Sequence, residues 1–140
     1  MKLLLAAFFI LSAALLHSAG LACAANSPVI VTHTLTGYSA GGNLAALNYS
    51  IHVINPGDTS LSNLTLSYVP LPSSPKGGAV LNVGNLGPHQ SADLSLQLQA
   101  PARLGKDALS LKPLYWNGKY QDAQGQTVEF PAASIPGGVK

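Results

Sequence analysis

Hydrophobic and polar residues alternate along several segments of the chain, as they do in strands that have one buried and one exposed face. The clearest examples are residues 44–54 and 61–69, which flank a Pro-Gly turn. In the first segment Tyr49, Ile51 and Val53 point one way, with polar side chains between them. The alternation predicts two strands of an antiparallel sheet, and these three side chains belong to its core.

Further segments carry the same pattern and bring the predicted strands to about seven. Strands are predicted at about 29–36, 79–83, 91–99 and 127–130, with another beginning at Leu109 and Leu111 and interrupted at Pro113. Residues 39–43 predict a loop, and the prolines and glycines of 70–78 predict a long exposed one. With no convincing helix, this spacing favours a β-sandwich, and a barrel is the alternative.

Short turn motifs mark the expected ends of these strands. Residues 55–58 have a type II signature, which requires a positive φ at Gly57. Asn117-Gly118 predicts a two-residue hairpin, because a type I′ turn needs a positive φ twice. Residues 122–125 predict a second turn, and the chain from residue 132 is predicted to be a loose tail.

The first 25 residues are a segment of a different kind. Lys2 precedes the apolar run 3–16, which is shorter than the ~20 residues of a spanning helix. Small residues follow, so residues 1–25 are predicted to be a secretory signal peptide. This leaves one domain at 26–131 and a tail at 132–140. Cys23 would leave with the signal, and the alternative is a lipid anchor at that cysteine.

Composition excludes several functional classes. The chain has 7 Lys and Arg against 5 Asp and Glu, without the clustered basic face that nucleic acid requires. The predicted mature chain contains no cysteine, so its core has to be stable without a disulfide. No G-x-S-x-G motif occurs and the carboxylates lie mostly beside turns, so we expect neither an enzyme nor a cofactor.

Three histidines lie in the predicted mature chain: His33, His52 and His89. A metal site needs at least three convergent ligands, and none of the three has a second ligand at short spacing. His33 and His52 could face each other across neighbouring strands. Ordinary structural histidines are the preferred interpretation, and no metal site is predicted.

An aromatic cluster, Tyr115, Trp116 and Tyr120, surrounds the predicted Asn117-Gly118 turn. In a two-residue hairpin Trp116 would pair with Lys119 and Tyr115 with Tyr120, on opposite faces. An exposed Trp116 would stack on a sugar or anchor a protein partner, whereas a buried one would be a core tryptophan. These three residues are the candidate binding site, and the loop 70–78 is a second surface able to present a contact.

The motif Tyr49-x-Ile51-x-Val53-x-Asn55-Pro56-Gly57-Asp58 resembles bacterial extracellular immunoglobulin-like repeat domains of unknown function. Residues 85–94 resemble the next signature of these domains, with His89 where Gly is usual, and residues 120–125 resemble their closing turn. The resemblance covers most of 44–130. It implies an all-β, immunoglobulin-like antiparallel β-sandwich of about seven strands, at the cell surface or in the periplasm. It implies no catalytic residue.

The sequence therefore predicts an exported, non-catalytic module with a structural or binding role at the cell envelope. Its partner would be a protein or a glycan, and the mature chain would have no membrane span. One alternative is a small carbohydrate-binding module centred on Trp116. Another is a subunit of a surface fibre that is completed by a neighbour's strand, with 29–35 as a donated strand. The resembled domains usually occur as repeats, whereas this chain carries one copy.

Overall fold

The computed structural model describes residues 27–72 and 74–137, and most of them lie in strands. A 3-10 turn, Ala102–Leu104, and one short helix, α1 (Lys106–Ser110), separate the fifth and sixth strands. The strands are β1 (Ile30–Gly41), β2 (Leu44–Ile54), β3 (Leu61–Val69), β4 (Val80–Leu86), β5 (Ser91–Pro101), β6 (Leu114–Gln121) and β7 (Thr127–Pro136). The all-β prediction is confirmed. The predicted signal peptide and Cys23 lie outside the described residues.

The seven strands form a single sheet in the order β4-β3-β6-β7-β1-β2-β5. Neighbouring strands are antiparallel except β1 and β7, which pair in parallel from Val31 with Ser134 to His33 with Pro136. The two strands at the ends of this order, β4 and β5, also contact each other, so the sheet is nearly barrel-shaped. In the described residues no helix is long and apolar enough to cross a bilayer.

The core consists of the inward faces that the alternation predicts. Five residues of β2 are fully buried: Ala45, Leu47, Tyr49, Ile51 and Val53. In β5 the predicted inner positions Leu96 and Leu98 are buried, and Ala92 and Leu94 are partly buried. Burying one such aliphatic side chain contributes about 1.5–3 kcal/mol, so these two strands supply much of the folding free energy.

The buried side chain of Asn55 holds the turn that follows β2. Its Nδ2 lies 2.8, 3.1 and 3.0 Å from the carbonyl oxygens of Thr59, Leu86 and Gly87. Its Oδ1 accepts a hydrogen bond from the Gly57 amide at 3.0 Å. Gly57 has no positive φ, so the type II prediction was wrong. The Asn55 side chain itself substitutes for a backbone turn contact.

The hairpin predicted at Asn117-Gly118 was wrong, because both residues lie inside β6. Asn117 pairs with Ser67 of β3 on one side and with Pro131 of β7 on the other. Gly118 serves a packing purpose: a Cβ atom there would lie 2.2 Å from Cζ of Phe130. The glycine therefore lets an aromatic ring approach the backbone of a central strand.

The second predicted turn, at residues 122–125, is confirmed and connects β6 to β7. The Asp122 carboxylate accepts hydrogen bonds from the amides of Gln124 and Gln126, each at 2.9 Å. Gly125 takes the positive φ of 76° that the turn needs. One side chain thus satisfies two amides that the sheet leaves unpaired.

Two strand boundaries at the opposite end of the sheet also differ from prediction. β1 runs on to Gly41, so the loop predicted at 39–43 is only a tight turn with a positive φ at Gly42. The strand predicted from Leu109 is the helix α1 and a turn, and β6 begins after Pro113. Leu109 is buried nevertheless, because the helix packs its apolar side chain against the core.

The loose tail predicted from residue 132 was wrong over 132–136, which form the second half of β7. These residues pair with β6 and, near the strand's end, with β1. Ser134 is fully buried. Partners from two distant strands order this segment, and its own composition carries no signal of them.

Candidate functional site

Three connections converge at one end of the molecule, called here the loop end. They are the β1–β2 turn, the loop 70–79 between β3 and β4, and the segment 102–113 between β5 and β6. The register brings them together, since Leu44 at the start of β2 pairs with Pro101 at the end of β5.

The loop after β3 is fixed to β5 by one antiparallel bridge. The Lys76 amide donates to the Gln99 carbonyl at 2.6 Å, and the Gln99 amide donates to the Lys76 carbonyl at 2.8 Å. From the inside, the Tyr68 hydroxyl donates to the Pro75 carbonyl at 2.8 Å. Ser74 and Pro75 are buried, so this loop is less exposed than predicted. A loop held in this way loses little entropy when it binds a ligand.

Two cavities meet at this bridge and together form the bridge cleft. The first, the amide groove, has a volume of about 500 Å³ and lies beside β2, β5 and Gly77. Its polar side chains include Asn48, Gln97 and Gln99. The second, the apolar pocket, has a volume of about 280 Å³. Its walls are Leu44, Pro72, Pro101 and Leu104, and its polar groups include Ser74, Lys76 and Arg103.

Positive charge gathers at the loop end. Four of the five lysines and arginines in the described residues lie there: Lys76, Arg103, Lys106 and Lys112. Asp107 is the one described carboxylate at this end. Lys76 Nζ donates to the Leu71 carbonyl at 3.0 Å. Within the described residues neither Lys76 nor Arg103 forms an ion pair, so an anion entering the pocket meets cations that no carboxylate neutralises.

Trp116, the central residue of the predicted aromatic site, is buried in the core. Trp116 is 1% exposed, and its Nε1–H donates to Ser134 Oγ at 3.2 Å. Its ring meets the edge of the Tyr68 ring at a centroid distance of 5.5 Å. In the sheet Trp116 pairs with Tyr68 and Ala132, not with Lys119. The structure therefore supports the second interpretation of Trp116, that of a core tryptophan.

The two predicted tyrosines lie on opposite faces of β6. Tyr120 is partly buried on the same face as Trp116, with its ring 6.0 Å from that of Phe130. Tyr115 points outward and is 39% exposed. The two tyrosines do not pair with each other, and the three predicted site residues do not form one surface.

A buried polar cluster lies beside Trp116. His33 is 1% exposed; its Nδ1 lies 2.7 Å from Ser134 Oγ, and its ring packs edge-on against Tyr49 at 5.7 Å. Both His33 Nε2 and the Tyr49 hydroxyl are buried without a hydrogen bond of good geometry. Within the described residues no carboxylate forms an ion pair with His33, and Ser134 is fully buried. The Ser–His contact therefore lies in the core of the protein.

Burial shifts the pKa values of this cluster. Desolvation lowers the pKa of His33 below its ordinary 6.5, and the backbone of Lys112 acts in the opposite direction. Desolvation raises the pKa of Tyr49 to about 12, with a smaller contribution from Tyr68. Desolvation also raises the pKa of Tyr68, and the Ser74 side chain partly opposes it. The folded protein thus favours the neutral form of all three groups.

Acidification should destabilise the protein through His33. Because its pKa is lower in the folded state, the unfolded state binds the proton more readily. This contribution is present above the unfolded pKa of about 6.5 and is lost as the pH falls from there towards the folded pKa. Urea midpoints at about pH 7.5 and about pH 5 measure it. His33→Gln should reduce the difference between the two urea midpoints, whereas His52→Gln should leave this difference unchanged. If both variants showed the same difference between midpoints, the assignment to His33 would be contradicted.

The other two histidines contact exposed carboxylates. His52 Nδ1 lies 2.6 Å from Asp93 Oδ1, and His89 Nε2 lies 2.8 Å from Asp58 Oδ1. Such exposed pairs add little stability. In the described residues, no three side chains of His, Cys, Asp or Glu are grouped as a metal ion would require.

The suggested contact between His33 and His52 was wrong. His33 pairs with Ile51 and points into the core, whereas the adjacent pair, Thr32 with His52, has its side chains on the outer face. The register therefore places the two rings on opposite faces of the sheet.

Sequence reasoning missed most of the bridge cleft. It identified the loop 70–78 as a contact surface but not Gln99 or Arg103. A usable signal was the run of cations at Arg103, Lys106 and Lys112, which stands out in a chain with 9% charged residues.

Comparison with known proteins identifies fold neighbours. No protein-family model and no curated protein matches the chain. Two crystal structures of a GH20 exo-β-N-acetylglucosaminidase from Vibrio harveyi match, one of an inactive mutant and one in complex with N-acetylglucosamine. Each has a TM-score of 0.51 and 12% identity, and covers 79% of this chain and 18% of that chain. A structural genomics target, SoR45, matches with a TM-score of 0.42 and 12% identity, over 80% of this chain and 88% of that chain.

The likeness to the Vibrio harveyi enzyme is one of fold alone. It concerns less than a fifth of that enzyme's length, so the enzyme's activity does not transfer to this chain.

Proposed function

We propose that this chain is an exported, non-catalytic immunoglobulin-like module that binds a partner at the cell envelope. The bridge cleft carries this proposal, because it is a preformed concave site with polar groups that converge on it. The strand order supports an immunoglobulin-like β-sandwich: the parallel β1–β7 pair joins a half of three strands to a half of four. The signal-peptide pattern of residues 1–25 supports export.

The chemistry of the cleft favours binding over catalysis. Hydrolytic catalysis by a side-chain nucleophile needs a base beside the nucleophile and a group that orients the base. Among the described residues that line the cleft there is a hydroxyl, Ser74, but neither a histidine nor a carboxylate. Lys76, one of the two cations that line the cleft, donates a hydrogen bond from its Nζ to the Leu71 carbonyl. The lining is suited to recognition.

A glycan is the partner that the amide groove fits best. An amide side chain donates and accepts hydrogen bonds, as a sugar hydroxyl does, and Asn48, Gln97 and Gln99 present three of them. The surface-fibre alternative has less support, because β1 is paired on both sides within its own chain.

Glycan binding at the amide groove should depend on its amides. We expect Gln97→Ala to weaken binding of a retained oligosaccharide several-fold, because a bound hydroxyl would lose its partner at about 0.5–1.5 kcal/mol. The measurement is a glycan array followed by calorimetry on the glycans it retains. Asn117→Ala removes an exposed amide from β6 and is the matched control. Equal effects of the two variants, or no retained glycan, would argue against the proposal.

A further inference from the structure

We propose that the bridge cleft selects glycans that carry a carboxylate. The acid group occupies the apolar pocket beside Lys76 and Arg103, and the adjoining sugar lies over the amide groove. This inference rests on the proposed glycan-binding function and specifies the chemical class of its ligand.

The apolar pocket carries positive charge that no carboxylate of the described residues compensates. Lys76 and Arg103 line a pocket whose apolar lining residues are Leu44, Pro72, Ala100, Pro101 and Leu104, and neither cation has an ion pair within the described residues. Lys76 and Arg103 are both exposed, so solvent and salt screen their attraction for an anion in part, and the attraction acts mainly on an anion that reaches the pocket itself. The Arg103 guanidinium also offers the planar pair of donors that matches a carboxylate.

The described residues that line the bridge cleft offer no aromatic surface on which a sugar ring could stack. Neutral sugars gain much of their affinity from aromatic rings, yet no aromatic side chain of the described residues lines either cavity. Trp116, which could have stacked on a sugar, is buried in the core. Affinity at this cleft must therefore come from hydrogen bonds and charge, and the charge available is positive.

The two cavities of the bridge cleft are continuous, and their sizes suit successive units of a glycan. The apolar pocket, at about 280 Å³, is slightly smaller than most ligand sites and suits a single ring bearing its acid group. It shares Lys76 and Gln99 with the amide groove. A glycan chain can therefore place one unit in each cavity while crossing the same bridge.

The test compares glycans that differ only in charge. Calorimetry would use oligogalacturonate and the fully methyl-esterified oligomer of equal length, with alginate and hyaluronan oligosaccharides as further acidic probes. We expect at least one acidic probe to bind, and the galacturonate acid to bind about tenfold or more tighter than its ester, a factor equivalent to about 1.4 kcal/mol. The affinity for the acid should fall as salt is raised.

Variants locate the effect. Arg103→Gln should lower the affinity for the acid about tenfold and remove the difference between acid and ester, as expected for a lost charge-assisted pair. Lys119→Gln is the control, since Lys119 is a cation on β6 that already contacts Glu129 at 3.5 Å. Equal melting temperatures of the variants would show that both are folded.

The outcomes separate this inference from the proposed function. If the ester binds as tightly as the acid and Gln97→Ala weakens both, the glycan site stands and the carboxylate selectivity is overturned. If no acidic or neutral oligosaccharide binds, both are overturned. If a short polyglutamate peptide binds as tightly as oligogalacturonate, the site recognises charge alone and the glycan class is wrong.

Discussion

Trp116→Ala should lower the free energy of unfolding by about 3–5 kcal/mol, the cost of deleting a buried aromatic side chain. The substitution empties a central position of β6, removes the edge contact with Tyr68 and leaves Ser134 without the indole donor. Neighbouring strands on both sides of β6 prevent the cavity from collapsing. The loss of stability should therefore be large, as expected for a core tryptophan and not for a surface contact.

Urea unfolding followed by circular dichroism measures this loss, and Tyr115→Ala is its control. Tyr115 is the next residue along β6 but faces outward, so its removal should cost far less. Trp116 is the only tryptophan of the chain, so intrinsic fluorescence gives an independent check. Its emission should be blue-shifted and poorly quenched by acrylamide; emission near that of indole in water would contradict its burial.

Leu64→Ala should lower the free energy of unfolding by about 2–5 kcal/mol. Leu64 is 0% exposed and lies in β3 next to Asn63, whose positive φ of 51° marks a local irregularity in the pairing with β4. Regular alternation fails at this irregularity, so the buried leucine helps fix which face of the strand points inward. Replacing Leu64 therefore removes core packing and also weakens the register of β3 against β4 at the same position.

The matched control is Leu111→Ala, which deletes the same atoms from a side chain that is 64% exposed. We expect it to change the free energy of unfolding by less than about 0.5 kcal/mol, as for most surface substitutions. Leu96→Ala, at the buried position in β5, should behave like Leu64→Ala. Similar midpoints for the buried and exposed variants would mean that the inner faces are assigned wrongly.

The sequence predicts the strands whose pattern is local and misses the features that depend on distant partners. β2 and β3 have the predicted bounds, because β2 alternates throughout, β3 alternates from Leu64 onward, and a proline closely follows each. The Asn117-Gly118 dipeptide led to a wrong hairpin prediction, because a glycine at this position suits either a tight turn or the close approach of an aromatic ring. Only the position of Phe130, from another strand, decides between the two.

The cleft could be predicted only in part for the same reason. The loop 70–78 is recognisable from its prolines and glycines. Its bridge from Lys76 to Gln99 and its proximity to Arg103 follow from the sheet register, which no short motif encodes. The burial of Trp116 likewise depends on Ser134, in a segment whose composition predicted a tail.

The parallel contact between β1 and β7 has a consequence for the order of folding. It joins His33 to Ser134, 101 positions apart, and it is the seam between strands β5, β2, β1 and strands β7, β6, β3, β4. Until the end of β7 is available, those two groups have unpaired edges and uncovered apolar faces. Such long-range closure is slow and exposes the chain to aggregation. Substitutions in β7 that slow the pairing of β1 with β7 should therefore lower the yield of soluble protein, even where they change the free energy of unfolding only slightly.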